Sequence, residues 1–163
     1  MRVMQSSAPR YYCGHPVPAT NHIVDLAVGS IGEASDMRNF FEKRDEYMYT
    51  EFSDEFLDLE GVIGWVKEFL AHPQFTHSMP ILWNALAITK TNLSFGDMQT
   101  FGDFILSIRD RRGSGRSAFV CEDDLVFGLF RTHEMLNNAK YDYDYHVFRN
   151  LEVAHQWVSG GEI

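Results

Sequence analysis

The chain has 163 residues, 45% of them hydrophobic and 23% charged, which are globular values and exclude wholesale disorder. A formal net charge of −9 repels phosphate backbones and argues against nucleic-acid binding, and two cysteines, Cys13 and Cys121, are too few for a disulfide scaffold or a cysteine-rich zinc site. No stretch approaches the ~18 apolar residues of a membrane span, and residues 1–15 hold no run resembling a signal peptide, so a cytoplasmic protein with reduced thiols is expected.

Charge density changes near residue 37. Residues 1–36 carry five charged groups (Arg2, Arg10, Asp25, Glu33, Asp36), with prolines and glycines among them and a short apolar cluster from Ile23 to Val28. They read as an N-terminal arm, packed in part, its first ten residues loose, ahead of a domain over residues 37–163. In the domain, Phe40 and Phe41, then Tyr47, Tyr49 and Phe52, flank the polar turn Lys43-Arg44-Asp45-Glu46 and predict an antiparallel hairpin. Leu59, Val62, Ile63, Val66, Phe69 and Leu70 recur at helical spacing behind the cap Asp58, and Pro73 ends the segment. Met79 to Ile88, apolar except for Asn84, reads as a strand buried on both faces.

Further on, Ser94 predicts the start of a helix that carries Met98, Phe101, Phe104, Ile105 and Ile108 and ends at Arg112-Gly113. Ser117 to Cys121 makes a strand. Asp123 and Asp124 open a helix bearing Leu125, Leu129, Phe130 and Leu136. Tyr143, Tyr145, Val147 and Phe148 form a final strand, and Asn150 caps a last helix closed by Gly160-Gly161. The alternation predicts an α/β fold with a mixed, largely parallel sheet covered by helices.

Three stretches carry a resemblance. They are His72-Pro73-Gln74-Phe75 leading into Met79 to Asn84, Ser117 to Asp124 followed by Val126 to Arg131, and Val147 to Val158 with its Phe148, Asn150, Ala154 and Trp157. Over residues 38–159 the chain resembles the SpoIIAA-like family, whose domain is related to the STAS fold of bacterial anti-sigma-factor antagonists. The resemblance implies a β/α superhelix around a mixed sheet. It also implies a docking module, since the better-known relatives bind a kinase or sigma-factor regulator through a helix-opening switch serine. Here Leu93-Ser94-Phe95-Gly96-Asp97-Met98-Gln99 lines up with that motif, and Asp97 keeps its place while Met98 and Gln99 stand where the serines would be. Neither can accept a phosphoryl group, so the switch is degenerate, with Ser94 the remaining hydroxyl. Asn84 stands where family members often carry aspartate, which weakens any carboxylate site there.

Seven histidines follow no HExxH spacing, no serine sits in a Gly-x-Ser-x-Gly elbow, and no Walker or dinucleotide glycine pattern follows a strand. No cofactor, metal or catalytic constellation is expected. Cys121, ending a buried strand, reads as an inert small hydrophobe. Arg109, Arg111, Arg112 and Arg116 surround Gly113-Ser114-Gly115 and read either as an anion patch or as a solvated helix end. Seven acids between residues 45 and 60, without a base, read as a solvated face that could meet the arginines of a second subunit.

Two functions follow as expectations. The first is a non-enzymatic cytoplasmic module that binds a protein partner or itself, as a homodimer, without a phosphoswitch. The second is a carrier or sensor of a small apolar or anionic, lipid-like ligand at the carboxyl ends of the parallel strands, with Trp83, Asn84, Asp123, Phe127 and Arg131 around it.

Overall fold

The computed structural model of the chain describes residues 39–141 and 143–162. The arm expected over residues 1–36, and Cys13 within it, lie outside them. Strand β1 (Phe40–Lys43) and β2 (Met48–Glu51) form the expected antiparallel hairpin. Beside β2 lie β4 (Ile81–Asn84), β6 (Ser117–Val120) and β7 (Tyr145–Phe148), all parallel, giving the order β1-β2-β4-β6-β7. Two two-residue strands, β3 (Phe56–Leu57) and β5 (Lys90–Thr91), pair apart from that sheet. The fold is thus α/β with a mixed, largely parallel sheet.

The described residues form five helices, α1 (Leu59–Ala71), α2 (Phe95–Ser107), α3 (Arg109–Arg112), α4 (Asp124–Asn137) and α5 (Leu151–Val158). No helix among the described residues is long and apolar enough to cross a membrane. The expected caps form. The Asp58 carboxylate accepts the Gly61 amide at 2.7 Å, Asp123 takes the amides of Leu125 and Val126, and Asn150 takes that of Val153. Ser94 and Asp97 form a reciprocal capping box at the start of α2.

Alternation along the strands divides the core in two, because successive strand side chains point to opposite faces. Ile81, Trp83, Phe119, Tyr145 and Val147 meet α1, α2 and α4 on one face. Leu82, Ala118, Val120 and Phe148 meet Ala154, Trp157 and Val158 of α5 on the other. Phe119 stacks on Phe130 with ring centroids 4.0 Å apart, a contact of about 1 kcal/mol beyond burial.

Two expectations change. The apolar run from Met79 to Ile88 is a strand only over Ile81–Asn84, after which the chain turns through Ala85 to Ile88, whose amide bonds the Ala85 carbonyl. The single helix expected from Ser94 to Arg112 breaks at Ile108, which adopts φ −106° and ψ 4° and gives its amide to the carbonyls of Ile105 and Leu106. The short α3 that follows ends at Arg112, which is buried. Gly113, at φ 73°, ends α3 where a side chain would run into Ser78 and His77. The loop after it is held by Ser78 Oγ, which accepts the Ser114 amide at 3.0 Å.

Candidate functional site

Arg112 is the most unusual residue of the described chain. Only 3% exposed, its guanidinium lies over the rings of Tyr143 and Phe69, and Nη2 donates to the Gly115 carbonyl at 2.8 Å. Nη1 is buried with no hydrogen-bond partner, and no carboxylate among the described residues pairs with the group. Burial lowers its pKa to about 10, so it remains a cation at neutral pH. An unpaired charge taken out of water costs several kcal/mol.

Arg112 lines a cavity of about 30 Å³ between the sheet and α1, α2 and α4. Its walls are apolar or aromatic, among them Trp65, Trp83, Phe101, Phe119 and Phe130. Ser117, Tyr143 and Tyr145 add polar groups to its lining. The Tyr145 hydroxyl, on the central-face side of β7, is buried without a partner, and burial holds its pKa well above the usual phenol value. Ser117 Oγ accepts the Trp83 indole N–H at 2.9 Å, leaving its own proton free to donate.

His133 of α4 also lines the cavity and separates it from a surface groove of about 410 Å³ between α2 and α4. Its Nε2 lies 2.7 Å from the Tyr141 hydroxyl and its Nδ1 3.2 Å from Asn137 Nδ2. Burial depresses its pKa to about 4, which keeps the imidazole neutral. Gly102 allows α2 this close to α4, since a Cβ there would stand 3.3 Å from Asn137 Oδ1. The groove has Gln99, Asp103, Thr132 and Lys140 along it and the exposed side chains of Phe95 (51%) and Leu136 (48%) at its rim.

The residues expected to surround a ligand at the carboxyl ends of the strands are dispersed. Trp83 faces the interior, packed edge-on against Trp65 and Phe69. Asn84 faces the other side, donating to the Tyr49 hydroxyl at 2.7 Å beside His155, which stacks on the Tyr49 ring. Asp123 caps α4, and Phe127 lies nearby under the Arg149 guanidinium, 3.9 Å from its ring centre. Arg149 also donates to the Glu122 carbonyl and to Asp124. Arg131 leaves this edge altogether for Glu134, at 2.5 Å, whose carboxylate also meets His146 and the Val147 amide.

The four arginines likewise part company. Arg109 is exposed beside Asp110, Arg111 donates to the Leu70 carbonyl, and Arg116 donates to the carbonyls of Trp157 and Gly161 over the Trp157 ring. Arg112 alone enters the interior. In the stretch expected to be a degenerate switch, Met98 is buried in the core, and Asp97 is held below the usual carboxylate range by hydrogen bonds from Ser94. Cys121 is fully buried and its thiol is pushed up to about 12, which makes it a poor nucleophile at neutral pH. No group of three or more His, Cys, Asp or Glu side chains among the described residues is placed to hold a metal ion.

The missed elements of this region are Tyr145, His133 and Arg149. The first two were legible only as strand and helix members, because no local pattern distinguishes a buried hydroxyl or imidazole beside a cavity. No family model, curated protein or solved structure matches the chain in comparison.

Proposed function

We propose that the chain is a non-enzymatic, SpoIIAA-like, STAS-related binding module that docks a protein partner without a phosphoswitch. The observation that carries this reading is the α2–α4 groove, where Phe95 and Leu136 stand exposed at the rim of a floor of polar side chains. The groove begins at the helix start that aligns with the switch motif. The sheet order, an antiparallel edge strand followed by parallel strands, supports the same family reading. The occupant is a partner segment that offers an apolar anchor and positive charge, to complement a chain of net charge −9.

The test is to identify the partner by photo-crosslinking from position 99, purify it, and titrate it against the native chain and the F95S/L136S double variant. Both side chains are already in water, so the variant is expected to melt as the native chain does while binding about tenfold or more weakly. Equal binding by both, or crosslinks only to a second copy of the chain, would refute the reading.

A second reading, carrier or sensor of a small ligand, draws support from the interior cavity. Its volume of about 30 Å³ favours a ligand of a few atoms over an acyl chain.

A further inference from the structure

We propose that the cavity lined by Arg112, Ser117 and Tyr145 binds a single small monovalent anion, of the size of a halide, nitrate or formate ion. This deepens the small-ligand reading and is independent of the docking groove.

Charge balance is the first argument. Arg112 is a buried cation that no described carboxylate neutralises. A lone buried charge persists where something supplies the opposite sign, and proteins use a paired side chain or a bound ion for this. Unused donor capacity is the second. Arg112 has one terminal nitrogen anchored to the Gly115 and Arg116 carbonyls and the other without a partner, so the fork is held with a donor to spare. Tyr145 adds a second unpartnered group, and Ser117, whose Oγ accepts from Trp83, still has its hydroxyl proton to give.

The character of the site is donor-rich. Arg112, Ser117 and Tyr145 bring donors to a chamber walled mainly by aromatic and aliphatic side chains, with Tyr143 and His133 also on its lining, and the fixed guanidinium charge suits an anion and repels a cation. Size sets the rest. About 30 Å³ is above the roughly 10–15 Å³ that one water occupies by the same measure, and far below what a sugar or nucleotide needs. Multiply charged oxyanions fit poorly, since a single guanidinium in an otherwise apolar chamber offsets one negative charge.

Entry would run past His133, the side chain shared between the cavity and the α2–α4 groove. A neutral imidazole there adds no competing charge.

The experiment uses the full chain. Thermal midpoints are recorded against sodium bromide, chloride, nitrate and formate at constant ionic strength, for the native protein, R112M and Y145F. General salt effects are common to all three and cancel in the comparison. The native midpoint is expected to rise saturably with the anion, as for any ligand that binds only the folded state. R112M should lose that rise entirely, and Y145F should keep it at about tenfold weaker apparent affinity. A crystal soaked in bromide should show an anomalous peak within hydrogen-bond reach of Arg112 Nη1. Identical anion responses in the native protein and R112M, with no such peak, would overturn the proposal. So would a carboxylate from residue 142 or from residues 1–38 found against Nη1. If R112M does not fold, the soaked native crystal decides alone.

Discussion

Single side chains shape the pH response of this fold, and His133 is one of them. An imidazole in the unfolded chain protonates near 6.5, whereas His133 in the folded chain does so at about 4, because burial penalises the charged form. As pH falls from 7, the unfolded state takes up the proton first. The stabilisation is therefore complete above pH 6.5 and is lost progressively down to pH 4, by up to about 3 kcal/mol. Urea midpoints measured across that window should fall for the native protein and fall less for H133Q, with the acidic groups contributing equally to both. A parallel fall in the two proteins would refute this role. The same scale shows where sequence reading stops. That Cys121 is buried followed from its place at the end of an apolar run. That Arg112 is buried did not, because the arginine run gives no sign of which member turns inward.

Elements were the most legible level, for a local reason. Caps and turns are made by side chains that bond backbone a few residues away, so Asp58, Ser94, Asp123 and Asn150 could be read in place, and the structure finds each at a helix start. D58A is expected to cost about 1 kcal/mol in urea denaturation through loss of the Gly61 contact, while D58N, which also caps, should cost a few tenths. Equal losses would mean that Asp58 acts by charge alone. Strands β3 and β5 were not legible. Two residues show no periodicity, and their pairing is fixed by contacts across 34 residues, such as Thr91 Oγ1 donating to the Leu57 carbonyl at 2.6 Å. The adjacency of Trp83 and Asn84 in one expected site contradicted strand geometry. Neighbours in β4 point to opposite faces, and the sequence already contained that signal.

At the scale of the whole molecule, the fold was legible because alternation of elements is a global pattern. The sites were not, because they arise where distant elements meet. The cavity needs Arg112 from the end of α3, Ser117 from β6 and Tyr145 from β7 together. The groove needs α2 brought against α4 at Gly102. No short motif contains either set.

The strand order has a consequence for how the chain is made. The five strands of the sheet lie in the order in which a ribosome releases them, each beside the one before, and α1, α2 and α4 cover one face as they emerge. Among the described residues, the opposite face, with Leu82, Ala118 and Val120, is covered by α5, which arrives after β7. Nascent chains stalled before Asn150 should therefore present a greasy flank to chaperones. A version stopped at Arg149 is expected in the insoluble fraction of a cell lysate, and soluble, cooperatively melting material from that truncation would show that the sheet can do without its second cover.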